Sequence, residues 1–169
     1  MRRERSKIHP AASQPRNDRT QDRQLDSYGL RGKLPEPTVC TGCGALYRDG
    51  RWVFGAAPAD AHQTRCPACR RIEDDYPAGI VSISGDFAVA HAEEIQHLAR
   101  NVETREKQEH ALKRIMSIET EGGETRIKTT NAKLARGIGE ALEHAYRGEV
   151  HYRMSEAENV LRVEWKRDR

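Results

Sequence analysis

The second half of the chain, from residue 79 onward, switches between the two-residue period of a strand and the longer period of a helix. Residues 79–84 are rich in β-branched side chains and predict a strand. Gly85 and Asp86 then predict a turn and the start of a helix. Apolar residues recur at helical spacing up to about residue 107, namely Phe87, Ala88, Ile95, Leu98, Ala99 and Val102. This pattern predicts a helix with one apolar stripe.

A strand, a tight turn and a returning strand are predicted after this helix. Residues 114–120 predict a strand with Met116 and Ile118 on one face, and the Glu-Gly-Gly-Glu that follows predicts a turn. Residues 125–130 predict the return strand, with Ile127 facing inward. The two runs therefore form a hairpin in the predicted fold.

A second helix and two further strands complete the pattern. Asn131 is predicted to cap this helix and Gly148 to end it. Its apolar stripe consists of Leu134, Ala135, Ile138, Ala141, Leu142 and Ala145. Residues 150–154 predict a strand, and a last strand follows after a turn. The alternating apolar residues of that last strand, which we expect on one buried face, are Leu161, Val163 and Trp165.

The predicted element order is β-α-β-β-α-β with one closing strand. This order is typical of a split β-α-β, ferredoxin-like sandwich, in which an antiparallel sheet carries two helices on one face. We therefore predict an α+β protein whose residues 79–166 form such a sandwich with an extra strand. Many unrelated functions use this architecture, RNA binding among them, so the fold alone does not specify the function.

The first segment, residues 1–36, differs from the rest because it contains few large apolar side chains. It cannot bury enough surface to offset chain entropy, and we predict a disordered arm. The whole chain has a net charge of only +3, but this arm is basic, with Arg2, Arg3, Arg5, Lys7, Arg16, Arg19, Arg23, Arg31 and Lys33. Such an arm is either an RNA-binding segment or a solvated tail without a partner.

The four cysteines of the chain form two C-x2-C pairs, Cys40 with Cys43 and Cys66 with Cys69. Two intervening residues let both sulfurs of a pair reach one ion, and two such pairs supply the tetrahedral set that Zn²⁺ prefers. Four thiolates with no open position favour one structural zinc, although a tetrathiolate iron site has the same spacing. Two disulfides are the other alternative, but the charged start of the chain does not resemble a secretory signal.

Residues 38–71 are predicted to form a zinc ribbon. Asp49-Gly50 lies between apolar and aromatic runs, which is a strong hairpin signal between the two cysteine pairs. Tyr47, Trp52 and Phe54 are expected either in the small core of this ribbon or stacked on bases of RNA. Five arginines are expected to give the ribbon a basic surface, namely Arg48, Arg51, Arg65, Arg70 and Arg71. Of these, Arg48, Arg51 and Arg70 are the expected RNA contacts, together with Trp52.

The remaining candidate sites are weaker. Lys128, Lys133 and Arg136 flank the start of the second helix and predict either a phosphate site or a solvated charged face. Gly137-x-Gly139 lacks the third glycine of a dinucleotide-binding loop, so we expect it to serve close packing. His62 is a possible ligand but is expected to be a loop residue. No catalytic motif is present, and we predict that the protein is not an enzyme.

Several of these motifs together resemble a family of small bacterial zinc-ribbon proteins. They are Cys40-x2-Cys43-Gly44, Cys66-Pro67-x-Cys69 and the run from Thr129 to Arg136, and the resemblance covers roughly residues 38–165. That family is distantly similar to the adaptor that escorts the large ribosomal subunit out of the eukaryotic nucleus. The resemblance implies contact with the ribosome or its RNA. It does not imply nuclear export, because this chain lacks the adaptor's additional cysteine pairs and domains.

The sequence thus predicts a non-enzymatic, cytoplasmic RNA-binding protein with one structural zinc. We expect it to act at the ribosome, in assembly, quality control or storage of idle ribosomes. One alternative is a regulatory adaptor that binds another protein through its sheet. Another is a rubredoxin-like electron carrier. No stretch is apolar enough to span a membrane, and no small-molecule substrate is predicted.

Overall fold

The computed structural model describes Tyr28 and residues 32–169, which form a small ribbon followed by a larger sandwich. The basic residues of the predicted arm that lie outside the described residues are Arg2, Arg3, Arg5, Lys7, Arg16, Arg19, Arg23 and Arg31. In the described part of the chain, no helix is both long and apolar enough to cross a membrane.

The ribbon is a four-stranded sheet of very short strands followed by one helix. Its elements are β1 (Thr38–Cys40), β2 (Leu46–Arg48), β3 (Arg51–Val53), β4 (His62–Thr64) and α1 (Pro67–Glu73). The strand order is β3-β2-β1-β4, with β4 parallel to β1 and the other neighbours antiparallel. Asp49 and Gly50 have φ angles of 53° and 76°, which confirms the predicted turn between β2 and β3.

Residues that precede β1 already contact the ribbon. The Glu36 carboxylate accepts hydrogen bonds of 3.0 Å from the backbone N–H groups of both Asp49 and Gly50. Tyr28 donates a 2.7 Å hydrogen bond from its hydroxyl to Asp74, just beyond α1, and its ring stacks on that of Tyr76. The described residues of the predicted arm therefore pack on the ribbon.

The sandwich consists of a five-stranded sheet and three helices. Its elements are β5 (Gly79–Ser84), α2 (Asp86–Ala90), α3 (Ala92–Glu109), β6 (Ile115–Glu121), β7 (Glu124–Thr129), α4 (Ala132–Tyr146), β8 (Glu149–Ser155) and β9 (Val160–Lys166). The first predicted helix is thus broken in two at His91, whose ring stacks on Phe87 with 4.1 Å between the ring centroids. The cap of α4 is as predicted, because the Asn131 side chain accepts hydrogen bonds from the N–H groups of Lys133 and Leu134.

The strand order β6-β7-β5-β9-β8 confirms the α+β class and the split β-α-β arrangement with an extra strand. β7 is antiparallel to both β5 and β6 and lies between them. The expectation of an entirely antiparallel sheet is wrong, however. β9 is parallel to β5 and separates it from β8, so the extra strand is inserted near the middle of the sheet.

Burial explains why β9 takes the inner place. The side chains of Val160, Leu161, Val163 and Trp165 in β9 are all at most 5% exposed. In contrast, β8 presents exposed polar residues such as Glu149 and His151 and includes no fully buried side chain. The more apolar strand therefore occupies the position with a neighbour on each side, and the polar strand forms the edge.

The core lies between one face of the sheet and the helices α2, α3 and α4. Its largest members are Trp165, Ile83, Ile95, Ile127, Leu134, Ile138 and Leu142. As predicted, Leu161, Val163 and Trp165 are buried together, and the Trp165 indole N–H donates a 2.7 Å hydrogen bond to the carbonyl of Arg147. The prediction for Met116 is wrong. The pairing of β6 with β7 is irregular between Ile115 and Ser117, so Ile115 instead contacts the core with Ile118.

The two glycines of Gly137-x-Gly139 differ in their surroundings. A Cβ atom at Gly139 would lie 2.6 Å from Cγ1 of Val163 in β9, so α4 is in close contact with the sheet at this point. A Cβ atom at Gly137 would meet only Cγ1 of Val102, at an ordinary distance of 3.8 Å. Close packing therefore explains Gly139 but not Gly137.

We expect the substitutions Gly139→Ala and Gly137→Ala to change stability in opposite directions. Gly137→Ala should raise the free energy of unfolding by up to about 1 kcal/mol, because alanine favours a helix interior more than glycine. Gly139→Ala should lower the free energy of unfolding by about 1–2 kcal/mol, because overpacking costs about 1–3 kcal/mol. This cost exceeds the gain that alanine brings in the helix interior. Urea denaturation of both variants is the measurement. An equal gain in both would contradict the close approach of α4 to β9.

Candidate metal centre

The four cysteines lie on three different elements of the ribbon. Cys40 ends β1, and Cys43 lies in the turn that leads to β2. Gly44 completes this turn with a φ of 77°, a conformation that glycine adopts without strain. Cys66 caps the N-terminus of α1, and Cys69 lies in the first turn of that helix. The second pair is thus presented by a helix, which spacing alone did not predict.

The four sulfur atoms form a cluster with the dimensions of a tetrathiolate site. The Sγ atoms of Cys40 and Cys69 are 3.7 Å apart, and those of Cys43 and Cys66 are 3.8 Å apart. All four lie within 4.8 Å of one another. A tetrahedron with sulfurs about 2.3 Å from a central ion has edges of about 3.8 Å. The arrangement can therefore hold one metal ion and is compatible with zinc.

These distances also argue against the alternative of two disulfides. All four cysteines are free, and the observed separations are much longer than the roughly 2.05 Å of an S–S bond. Within the described residues, these four form the only cluster of three or more side chains with suitable metal-ligand spacing. His62 is exposed and does not belong to the cluster. The expectation that it is a loop residue is wrong, because it begins β4 and pairs with Thr38 of β1.

Backbone N–H groups point at the sulfur atoms. The N–H groups of Gly42 and Cys66 donate to Cys40 Sγ over 3.4 and 3.2 Å, and that of Cys69 donates to Cys66 Sγ over 3.3 Å. Burial raises the pKa of the Cys40 thiol, but the N–H groups of Cys66, Cys43 and Gly42 outweigh it and lower the pKa to about 6. Cys40 is thus prepared to be a thiolate, the form that binds metal.

The thiols of Cys43 and Cys66 depend more strongly on an ion for their negative charge. Burial raises the pKa of Cys66 and of Cys43 above the usual value for a thiol. Each will therefore keep its proton at neutral pH unless a cation displaces it. Because four buried thiolates repel one another, the fully deprotonated cluster needs a central positive charge.

Arg114 also contacts the cluster, although sequence reasoning did not assign it to the site. Its Nη2 atom donates to the Sγ atoms of Cys66 and Cys69 over 3.2 and 3.5 Å. Burial opposes the charge on this guanidinium, but the neighbouring cysteine sulfurs outweigh that effect and raise the pKa of Arg114. Arg114 immediately precedes β6 of the sandwich, so the two parts of the protein meet at the sulfurs. No local pattern reveals a contact between residues so far apart in sequence.

Most of the predicted basic residues of the ribbon lie on its surface, whereas Trp52 does not. The prediction is wrong for Arg71, which is only 4% exposed and donates a hydrogen bond to the carbonyl of Tyr76. Arg48, Arg51 and Arg70 are exposed, as is Lys33 before β1. Trp52 is only 7% exposed and packs edge-on against Tyr47 in the ribbon core, with 5.4 Å between the ring centroids. Of the two possibilities for Trp52, the structure thus supports core packing over stacking on a base.

Phe54 is the aromatic residue of the ribbon that faces solvent. Its side chain is 50% exposed, and Nζ of Lys107 in α3 lies 5.9 Å from the centre of its ring. Ala111 and Leu112, which follow α3, pack into the ribbon core with Trp52. Phe54 therefore lies near the junction between ribbon and sandwich, beside a lysine.

The three basic residues near the start of α4 differ in their surroundings. Lys128 lies on the face of the sheet opposite to Ile127 and α4, and it pairs with Asp75 at 3.1 Å. The guanidinium of Arg136 lies over the ring of Tyr152, 4.7 Å from its centre. Lys133 is exposed in the first turn of α4. The arrangement of Lys128 therefore gives no support to a joint phosphate site.

We expect the purified protein to contain one metal ion per chain, bound by the four cysteines. Replacing Cys66 with serine should abolish binding, because three thiolates leave the buried cluster incomplete. His62→Ala should leave the metal content unchanged and is the matched control. Elemental analysis measures the content, and NMR reports on the fold. A metal-free protein whose ribbon still gave well-dispersed signals would contradict this expectation.

Comparison with known proteins gives no relative, since no family model, curated protein or solved structure matches the chain.

Proposed function

We propose that this protein is a non-enzymatic, cytoplasmic zinc-ribbon protein that binds RNA, most specifically RNA of the ribosome. The observation that carries the proposal is the tetrahedral set of sulfurs in a ribbon whose exposed side chains include Arg48, Arg51 and Arg70. Zinc would be structural and would hold these arginines in fixed positions. The proposed resemblance to ribosome-acting zinc-ribbon proteins supports ribosomal RNA as the partner.

Zinc is the proposed ion because the donor set is closed. Cys40, Cys66 and Cys69 are each at most 8% exposed, and the four thiols leave no ligand position open to a substrate. Closed tetrathiolate sites are typical of structural zinc, and their binding energy is folding energy for the module that contains them. Strands of three residues each have little other means of holding their shape.

The surface of the ribbon suits a phosphate backbone. Arg48 and Arg51 pair across the β2–β3 hairpin, next to the turn at Asp49 and Gly50. Arg70 lies on α1, immediately after the ligand Cys69. Arginine binds phosphate through a planar fork of N–H donors, and a rigid scaffold limits the entropy lost when it does so. The basic arm would add further phosphate contacts.

We propose that Phe54 is the stacking residue of the ribbon. Unpaired bases stack on exposed aromatic rings, and Phe54 is half exposed whereas Trp52 is buried. Lys107 beside the ring is placed to contact the phosphate of a nucleotide stacked there. This combination of a ring and a cation favours a single-stranded or looped region of RNA over a regular duplex.

A specific observation favours an adaptor function as the second candidate. The sheet face opposite to the helices carries arginines that pair with acids, as Arg126 does with Glu124 at 3.3 Å and Arg162 with Glu158 at 2.9 Å. No strand residue that the structure describes on this face is Phe, Tyr or Trp. Paired charges attract a phosphate backbone weakly, so this face suits a protein partner better than RNA.

The sulfur-directed N–H donors also fit the third candidate, a rubredoxin-like electron carrier. An iron tetrathiolate absorbs visible light and zinc does not, because Zn²⁺ has a filled d shell. The visible spectrum of the purified protein, with elemental analysis, therefore separates this candidate from the proposed zinc site.

We expect replacement of Arg48, Arg51 and Arg70 with glutamine to weaken binding to ribosomal RNA in a salt-dependent manner. Each lost phosphate contact should reduce the slope of log K against log salt by about 0.7 for single-stranded RNA. Titrations at several salt concentrations measure this slope. The matched control replaces three arginines of the sheet, Arg126, Arg153 and Arg162, which pair with acids at 3.3, 3.6 and 2.9 Å. In the ribbon, Arg48 lies 3.9 Å from Asp49, at the limit of an ion pair. Equal slopes for the two triple variants would overturn the proposed ribbon surface, and absence of RNA binding by the wild type would favour the adaptor.

We expect Phe54→Ala to weaken binding to a single-stranded oligoribonucleotide by about 5- to 150-fold, since one stacked base contributes about 1–3 kcal/mol. Phe54→Tyr should retain affinity because it keeps the ring. Val89→Ala, which removes another exposed apolar side chain, is the control. An unchanged affinity for Phe54→Ala would exclude stacking at this site while leaving the arginine surface to be judged by its own variants.

A further inference from the structure

Arg114 connects the sulfur cluster to the interior of the sandwich. Its guanidinium donates to the Sγ atoms of Cys66 and Cys69, which are both presented by α1. Its Nε atom is buried and has no hydrogen-bond partner among the described residues. The two sulfurs are thus the hydrogen-bond acceptors that the described structure offers this half-buried cation.

Backbone hydrogen bonds fix Arg114 to the sandwich. Its N–H donates to Thr130 Oγ1 over 2.9 Å, and its carbonyl accepts from the N–H of Thr130 over 2.9 Å. The N–H of the next residue, Ile115, donates to the Glu103 carboxylate of α3 over 2.8 Å. Thr130 precedes Asn131, the cap of α4. A movement of Arg114 would therefore disturb hydrogen bonds at α3, at the end of β7 and at the start of α4.

A bound ion would fix the two sulfur acceptors of Arg114. A divalent ion with four thiolates is a net dianion, and Arg114 would compensate part of that charge. If the ion leaves, nothing holds Cys66 and Cys69 together at hydrogen-bond distance from Arg114, and the guanidinium loses its paired acceptors. A half-buried charge without such acceptors is costly, so Arg114 would move toward water.

We infer that Arg114 couples metal occupancy to the geometry of the sandwich, and that it is an outer-sphere residue of the metal centre. This inference rests on the metal site of the proposed function. When the ion is bound, Arg114 holds α1 against the start of β6. When the ion is lost, the contact between Arg114 and Thr130 loosens, and the ribbon no longer has a fixed position on the sandwich. Metal binding thereby sets the relative placement of Phe54 and Lys107, which lie on different sides of this junction.

The test compares Arg114→Gln and Arg114→Lys with the wild type and with the control Arg126→Gln. Zinc affinity is measured by competition with a chelator, and NMR hydrogen exchange is measured at the Thr130 amide in zinc-loaded protein. Outer-sphere substitutions typically reduce metal affinity about 10- to 100-fold, and we expect this range for Arg114→Gln. We also expect the Thr130 amide to exchange at least about tenfold faster in this variant, even when zinc is bound. Arg114→Lys keeps the charge but not the planar fork of N–H donors. Its zinc affinity and its Thr130 exchange rate should therefore lie between those of the wild type and those of Arg114→Gln.

The outcomes separate this inference from the proposed function. Wild-type protein that binds no metal overturns both. Wild-type protein that binds zinc with the same affinity as Arg114→Gln overturns the role of Arg114 alone. A weakened affinity with unchanged exchange at Thr130 means that Arg114 only balances charge, and it overturns the coupling. Arg126→Gln should match the wild type in both measurements, because Arg126 is exposed and lies away from the sulfurs.

Discussion

The structure of the ribbon depends on four sulfur atoms being brought together in a buried place. Its strands contain three residues each, and its core consists of little more than Tyr47, Trp52, a few alanines and the cysteines themselves. A module of this size buries too little apolar surface to offset its chain entropy. The thiols must lose their protons to bind an ion, and burial of Cys43 and Cys66 opposes that loss. The same burial strengthens the attraction once a cation is present, so, on the proposed function, folding and metal binding are one event in this part of the chain.

The sandwich has an independent source of stability, and the two parts meet over a small area. Ala111 and Leu112 contribute apolar contacts to the ribbon core, and Arg114 contributes its hydrogen bonds to sulfur. All three residues belong to the short connection between α3 and β6. This connection therefore joins the sandwich to the ribbon core, and most of the sandwich's own apolar core lies elsewhere, between the sheet and the helices. The contact between the connection and the ribbon combines two interactions. Apolar packing of Ala111 and Leu112 stabilises it, and the guanidinium of Arg114 makes it depend on the charge of the sulfur cluster.

Local signals predicted much of this architecture, and nonlocal contacts account for what they missed. The cysteine spacing, the Asp49-Gly50 turn and the Asn131 cap each act over a few residues, so they could be read from the sequence. The position of β9 could not be read from the sequence, because it depends on whether β8 or β9 pairs with the distant strand β5. The alternation of apolar and polar residues does not predict the irregular strand pairing beside Met116. Trp52 and Phe54 are both aromatic, and only the tertiary packing, which places Trp52 against Tyr47 in the ribbon core, decides which one is buried. Arg114 was missed for a similar reason, since its acceptors are more than 40 residues away in sequence.

The insertion of β9 beside β5 has a consequence for how the chain reaches this state during synthesis. β5 leaves the ribosome early, but one of its two neighbours, β9, is the last strand of the described chain. Until β9 emerges, β5 keeps an unpaired apolar edge, and β8 has no partner in the sheet, since β8 pairs only with β9 among the described strands. Such open edges expose a nascent chain to misassembly. The ribbon, whose contacts are mostly local, can form long before that time. Shortening the chain before residue 160 would remove an inner strand and not an edge, and would leave the sheet divided into pieces that no longer hydrogen-bond to one another.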